Sequence, residues 1–331
     1  MITTKPCDPA VTKVVLLKGG KSDEREISLK SGAACAAALR EEGFDVVEID
    51  PAQSDALQQI IDAQPTVVFL ALHGKGGEDG CIQGVCELLE VPYTGSGVLA
   101  SALAMDKGRS KIMYDSIGLK TAPWVIVRSG DTPDAGKIIE KLGEKVVVKA
   151  ARGGSSIGTY IVEGKIELTE AIHNALEFDN EVVVESFIPG TETTVAVLGN
   201  AQPEALPVIE IVPQGDSTSY DFTAKYAAGG SKHIIPARLD DRTTAACQAA
   251  ALRAHEVLGC KGVSRTDIMV DETGECWVIE TNTLPGMTST SLLPDTAGTV
   301  GISFGALCRI LIELALEEHA RVCYTSKPRR H

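Results

Sequence analysis

No stretch of the 331 residues approaches the roughly 20 consecutive apolar residues needed to span a membrane. Positive charge is short as well. Lys and Arg number 31 against 45 Asp and Glu, for a net charge of -14 and a pI near 4.9. An acidic chain is a poor partner for nucleic acid or for anionic membrane surfaces, so any anionic substrate needs locally placed Lys and Arg. A zinc framework is missing too. The nine cysteines are odd in number and scattered; Cys81 and Cys86 are the closest pair, with no second pair or His cluster beside them. They read as reduced thiols used as small hydrophobes in a cytoplasmic protein. Met1 to Pro9 has no apolar core of signal-peptide length, and Pro6 and Pro9 interrupt it further. The basic end, Lys327 to His331, reads as a frayed terminus rather than a nucleic-acid site.

What is there is an ordinary globular composition, 44% hydrophobic and 23% charged, long enough for two or three domains. Val14-Val15-Leu16-Leu17 is a buried strand running into Lys18-Gly19-Gly20. An Ala-rich helix from Ser28 to Leu39, the strand Val46 to Ile49, a helix over Leu57 to Ile61 and the strand Val67 to Leu72 follow. This β-α-β-α-β alternation predicts a parallel sheet with ligand loops beyond the strand ends at Gly19 and His73. A P-loop is excluded, because the position five residues before Gly20 is Val15 rather than glycine.

Around Pro92 to Gly97 the pattern changes. A helix from about Val98 to Ser116 is expected, then strands near Trp124 to Val127 and Val146 to Lys149. The loop Gly153 to Gly158, a helix over roughly Leu168 to Glu177 and the strand Val182 to Glu185 complete a small α+β unit. From Glu192 strands dominate until a helix from Thr243 to Leu258. A hairpin and a last helix from Ile302 to about Arg321 end the chain. The expected units are 1–95, 96–187 and 188–331.

The hairpin Asp267 to Asn282 carries the strongest chemical signal. With a turn centred on Thr273-Gly274, Asp267 pairs with Glu280 and Arg265 with Asn282, all four on one face. Opposed carboxylates call for a cation, and all-oxygen ligands favour Mg²⁺ or Mn²⁺ shared with phosphates. Lys149 closes a strand before a Ser/Gly loop whose amides and hydroxyls suit phosphate, and Lys107 is a second phosphate candidate. The linker after Glu185, through Phe187 and Ile188, suits adenine, with Glu192 for ribose. Residues 215–230, with Lys225 and Tyr226, read as a lid. The run Thr283 to Leu292, with Gly286 and Ser291, suits a carboxylate or oxyanion.

In order along the chain, these segments resemble D-alanine–D-alanine ligases of the ATP-grasp superfamily. The resemblance rests on Gly19-Gly20 with Glu24-Arg25-Glu26 and Ser28, and on Leu72-His73-Gly74-Lys75-Gly76-Gly77-Glu78-Asp79-Gly80. It continues through Met105-Asp106-Lys107, Gly154 to Gly158, Tyr220-Asp221-Phe222 and Glu280 to Thr288. It implies three domains: an N-terminal parallel α/β sheet, a small central α+β domain and a larger C-terminal α+β domain. ATP would lie between the last two. It implies an ADP-forming reaction through an acylphosphate, for peptidoglycan precursors. It implies two Mg²⁺ ions, with Mn²⁺ as an alternative, on Asp267, Glu280 and Asn282, and K⁺ as an accessory ion. Lys107, Lys149 and Lys225 match phosphate lysines; Ser155 and Ser156 belong to the phosphate loop; Glu185, Phe187, Ile188 and Glu192 match the adenosine region. Glu24 matches the acid gripping the first D-alanine, linked to Ser155 and Tyr226, and His73 lines that subsite. Arg265 and the Gly286 amide match oxyanion stabilisers, and Ser291 with Leu292 the second carboxylate site. A homodimer is a family expectation.

Ala150, Gly153 and Ser186 depart from the family pattern. The nearest rivals are D-alanine–D-serine and D-alanine–D-lactate ligases, and Tyr226 favours an amine nucleophile. A catalytically dead nucleotide-binding regulator would not need the full set of Arg265, Asp267, Glu280 and Asn282.

Overall fold

The computed structural model describes residues 2–154, 157–213, 231–288 and 290–326. Its strands form three sheets among those residues. The first takes β1 (Lys13–Leu17), β2 (Asp45–Ile49) and β3 (Val67–Leu70), with α1 (Arg25–Glu41) and α2 (Ala56–Ala63) between them. All pairs are parallel in the order β2-β1-β3, as the continuous apolar runs require. Alternate residues serve opposite faces. Val14, Leu16 and Phe69 join a core with Leu39 of α1 and with Leu307 and Leu311 near the end of the chain. Val15, Leu17 and Val68 pack against Ile60 of α2 and Ile82 of α3 (Cys81–Leu88), a helix the sequence pattern did not announce.

The helix expected from Val98 to Ser116 is two helices, α4 (Val98–Met105) and α5 (Lys107–Ser116). Asp106 breaks it by taking an extended conformation, φ -90° and ψ 101°, and its carboxylate accepts the Arg109 N–H at 3.0 Å as an N-cap. The break places Lys107 on the first turn of a new helix, with its Nζ 2.5 Å from the carbonyl of Gly153.

The second sheet runs β4-β7-β5-β6 and is antiparallel. It comprises β4 (Trp124–Arg128), β5 (Lys145–Ala150), β6 (Thr159–Glu163) and β7 (Glu181–Ser186), backed by α6 (Ala135–Leu142) and α7 (Lys165–Ala175). Sequence patterning missed α6 and placed α7 slightly late. Val146, Val148, Val182 and Val184 pack on Leu142, Leu168 and Ile172. The period-2 alternation then turns Val147, Lys149 and Glu185 to the other face, towards the cleft.

The third sheet runs β11-β10-β8-β12-β13, with β9 beside β8. Its strands are β8 (Thr191–Leu198), β9 (Glu204–Ala205), β10 (Ile209–Pro213), β11 (Ser231–Ile234), β12 (Val263–Val270) and β13 (Cys276–Asn282). One face packs on α8 (Asp241–Leu258) through Val195, Val197, Ile268 and Val278. That helix starts two residues before the expected Thr243, because Asp240 caps it by accepting the Thr243 N–H at 2.8 Å. The chain closes with α9 (Leu292–Thr299), also unannounced, and α10 (Phe304–Ser326).

Six of the eight described cysteines are buried free thiols. Among the described residues no single helix is long and apolar enough to cross a membrane. The pair Leu292–Thr299 and Phe304–Val322 would qualify jointly but is bent by 103°.

Candidate active site

The β12–β13 ladder pairs Arg265 with Asn282, Thr266 with Thr281 and Asp267 with Glu280, the register expected from the sequence. The route to that register differs. From Ile268–Val278 to Val270–Cys276 the pairing is centred on Thr273, half a residue off the expected turn, and the ladder then skips Ile279. Asp271 organises the turn by accepting from the Thr273 and Glu275 amides at 2.9 and 3.0 Å and from the Trp277 indole at 2.8 Å. The bulge reverses which residues of β13 face inward. Below it Cys276 and Val278 are buried against α8. Above it Thr281 is buried, taking the Tyr114 hydroxyl at 2.9 Å, while Glu280 and Asn282 turn to the cleft.

Arg265 grips Asp267 through two hydrogen bonds of 3.0 Å, and Asp267 also accepts from Thr194 Oγ1 at 2.5 Å. Glu280 stands 3.8 Å from Lys107 Nζ, and Asn282 Oδ1 accepts the Leu284 N–H at 2.9 Å. Two carboxylates and an amide are hard oxygen donors of the kind Mg²⁺ and Mn²⁺ prefer, so these residues fit such an ion. Among the described residues no group of three His, Cys, Asp or Glu side chains could hold a metal. An ion here would depend on the Asn282 amide and on ligand oxygens.

On one side of the hairpin lies a cavity of about 620 Å³ between the second and third sheets. Its lining includes Lys107, Lys149, Glu185, Phe187, Ile188, Glu192, Asp267 and Glu280. The walls are apolar where Val147, Ile188, Ile211, Met269 and Ile279 contribute, which suits a nucleobase. Glu185 is buried and paired with Lys111 Nζ at 2.7 Å and with Lys149 Nζ. Burial alone would raise its carboxyl, but the two ammonium groups overcome that and hold it down at about 2.

On the other side is a cavity of about 490 Å³. Glu24, His73, Arg265, Gly286, Ser291 and Leu292 line it, with Glu78 and Lys30. Glu24 precedes α1 directly, and its carboxylate occupies the space a Cβ on Gly74 or Gly154 would need. A Cβ on Gly154 would come within 2.3 Å of Glu24 Oε2. His73 is buried with Nε2 3.1 Å from Ser31 Oγ, and burial pushes its pKa down to about 4. Glu78, half-buried beside Glu24, accepts the Gly74 N–H at 2.7 Å; withdrawal from water and the neighbouring carboxylate push it up to about 8. Ser291 holds the N-cap position of α9 without a side-chain capping bond; its Oγ instead accepts the Thr288 N–H at 3.0 Å beside Gly286. A helix N-terminus at Leu292 favours an anion.

The glycine turn after β1 is not part of the site. Its Gly19 and Gly20 amides donate to Ser28 Oγ at 2.8 Å and Asp50 Oδ1 at 2.9 Å. Ser155, Ser156, Lys225 and Tyr226, with the whole expected lid, lie outside the described residues. The other expected site residues line one cavity or the other. Lys107, Gly153 and Glu280 line both. Sequence reasoning passed over Glu78, although its glycine-rich loop was noted, and Lys111, which helical periodicity treats as a solvated lysine.

A four-stranded antiparallel sheet facing a larger one, with lysines on the first and paired carboxylates on the second, defines an ATP-grasp fold. Two family models match: "D-ala D-ala ligase N-terminus" over residues 48–96 and "D-ala D-ala ligase C-terminus" over residues 113–313. The D-alanine–D-alanine ligase of Citrifermentans bemidjiense is 46% identical over 303 residues, 92% of this chain and 96% of that protein. That of Ruegeria sp. is 48% identical over 304 residues, 91% and 95% of the two chains. Among solved structures, the ligase of Bacillus anthracis complexed with ATP superposes with a TM-score of 0.82 at 31% identity, covering 94% of this chain and all of that one. The Coxiella burnetii ligase gives 0.81 at 27% identity, with 96% and 97% coverage. The chain belongs to the D-alanine–D-alanine ligase family.

Proposed function

We infer that the chain joins two D-alanine molecules into D-alanyl-D-alanine at the expense of ATP, a cytoplasmic step in making peptidoglycan precursors. The observation that carries this reading is the shared rim of Lys107, Gly153 and Glu280 between an apolar-walled cavity and a smaller polar one. A γ-phosphate held at that rim meets a carboxylate held in the smaller cavity. ATP takes the cavity between the sheets, adenine near Phe187 and Ile188 and ribose near Glu192, with Lys107, Lys149 and Lys225 on the phosphates. Ser155 and Ser156 join through the phosphate loop. Asp267, Glu280 and Asn282 would hold Mg²⁺, or Mn²⁺ in its place, which when bound neutralises phosphate charge.

Glu24 grips the ammonium of the first D-alanine, supported by Ser155 and Tyr226, with His73 neutral beside it. The carboxylate of that D-alanine attacks the γ-phosphate, ADP leaves, and the amine of the second D-alanine attacks the acylphosphate carbonyl. Arg265 and the Gly286 N–H stabilise the oxyanion, and phosphate departs. Ser291 and the Leu292 N–H hold the second carboxylate. Little covalent chemistry falls to the protein, so positioning and charge carry the catalysis. The units 1–95, 96–187 and 188–331 supply the first amino-acid loops, one nucleotide sheet and the metal hairpin with the lid.

Incubation with ATP, Mg²⁺ and a mixture of D-alanine, D-serine and D-lactate, followed by mass analysis, tests this. D-alanyl-D-alanine, ADP and phosphate are expected as the products. Phosphate release indifferent to D-alanine would overturn the reading, and a D-seryl or D-lactyl product would reassign the second subsite.

A further inference from the structure

Lys111 sits four residues after Lys107 on α5, and its side chain is buried, 2% exposed. It lines neither cavity. Its Nζ donates to Thr121 Oγ1 at 2.6 Å and to the Ala122 carbonyl at 3.4 Å, and it stands 2.7 Å from Glu185 Oε2. Two of its three protons thus have hydrogen-bond acceptors, and the ion pair with Glu185 supplies the remaining interaction. Withdrawing a lysine from water this completely is costly, and an apolar side chain of the same length would fill the space more cheaply.

The other oxygen of Glu185 pairs with Lys149, which does line the nucleotide cavity. One carboxylate therefore stands between two ammonium groups, leaving the trio with one unit of positive charge. Thr121 carries the connection onward, its Oγ1 donating to the Val278 carbonyl of β13 at 2.8 Å, two residues before Glu280.

We propose that Lys111 is a positioning residue for ATP: by sharing the Glu185 carboxylate it keeps the charge of Lys149 available to the nucleotide phosphates. Were Glu185 to face Lys149 alone, the pair would be neutral and Lys149 would meet a phosphate with its charge already matched. With Lys111 present, Glu185 still fixes the Lys149 side chain but consumes only part of its charge. Lys111 never reaches the substrate and acts only through Glu185. The inference rests on the reading of this cavity as the ATP site but not on the identity of the amino acids joined.

The test is a double-mutant cycle on the full chain, reading the Kd of ATP with Mg²⁺ by calorimetry, beside thermal melts. Lys111→Met is expected to weaken ATP binding by about tenfold, the scale of losing one charge-assisted hydrogen bond from Lys149 to a phosphate. In a Glu185→Gln background there is no carboxylate to share, so adding Lys111→Met is expected to change Kd by less than about twofold, within ordinary additivity. A Lys111→Met protein that binds ATP within about twofold of wild type overturns the proposal. So does an equal loss in both backgrounds, which is what a purely structural anchor for α5 produces. Should Lys111→Met alone fail to fold, Glu185→Gln against the double variant decides by itself: a loss above about threefold there overturns the idea. Wild-type protein that binds ATP but forms no dipeptide would count against the substrate reading and leave the cycle interpretable.

Discussion

Glu280 faces Asp267 directly across the β12–β13 ladder, and it does so because β13 skips Ile279. Were Ile279 instead paired in regular alternation, the series begun by Cys276 and Val278 would carry on, and Glu280 and Asn282 would point into the packing against α8. The bulge converts a core-facing series into a cleft-facing one within a single strand.

Deleting Ile279 should therefore regularise the ladder and leave Glu280 and Asn282 facing the cleft, because Glu280 then follows Val278 directly and falls on the opposite face. Steady-state ADP formation is expected to fall by less than about a hundredfold, short of the loss of one fixed electrostatic stabiliser. Far-UV circular dichroism would check that the sheets persist. A larger loss from a folded deletion protein would show that the extra residue places the site by more than its effect on the alternation.

Glu280→Gln keeps the shape of the side chain and removes its charge. Turnover with Mg²⁺ is expected to drop by about a hundredfold or more, with a higher Mg²⁺ concentration needed for half-maximal rate. Turnover within a few-fold of wild type would sink the assignment of Glu280 as a metal ligand.

Gly154 matters for what it lacks. Its φ is not in the left-handed region, yet an added methyl would meet Glu24 Oε2 at 2.3 Å. Gly154→Ala should displace the Glu24 carboxylate and raise KM for the first D-alanine about tenfold, since one misplaced charge-assisted hydrogen bond is worth roughly that much. KM for ATP should move less than threefold, a bound set by the same energy scale. Separate determination of the two KM values checks the selectivity; equal rises in both would argue against a Glu24-specific effect.

Acid should loosen the fold before it protonates the paired carboxylates. Burial lowers His255 and His73 from 6.5 to about 4. The unfolded chain takes up a proton at each imidazole as pH falls below about 6.5, while the folded chain resists until about 4. Stability conferred by the neutral rings is thus full above 6.5 and lost through that window, up to about 3 kcal/mol each. His255 touches neither cavity; its Nδ1 lies 2.8 Å from Ser264 Oγ and its Nε2 has no hydrogen-bond partner among the described residues. His255→Asn should flatten the decline in urea-unfolding free energy between pH 6.5 and 4.5. A slope equal to wild type would remove His255 as a cause.

Much of this was legible in the residues. Runs such as Val14 to Leu17 and Val67 to Leu70 are apolar at every position because both faces of a parallel strand are covered, and they announced the first sheet. The pairing of Asp267 with Glu280 was legible too, but from a turn assumed to lie half a residue away. A bulge at Ile279 cancelled the offset, and nothing in the β-branched pair Val278-Ile279 marks a bulge. The break at Asp106 was hidden by a stretch that is helical on both sides. Lys111 was invisible for a different reason. A lysine in a helix is solvated unless remote segments close over it, and here Thr121, Ala122 and Glu185 do so from other elements.

The rim formed by Lys107, Gly153 and Glu280 has a consequence for inhibitor design. Two chambers that share lining residues can be spanned by one molecule, provided its bridge competes with Glu280 for the Lys107 ammonium, the two standing 3.8 Å apart. A nucleoside arm and an amino-acid arm joined through a phosphate-like link would occupy both chambers at once. Each arm then raises the effective concentration of the other. A link that offers Lys107 no anion leaves that ion pair in its way whatever the quality of the two ends, so the shared rim sets which bridged compounds can bind.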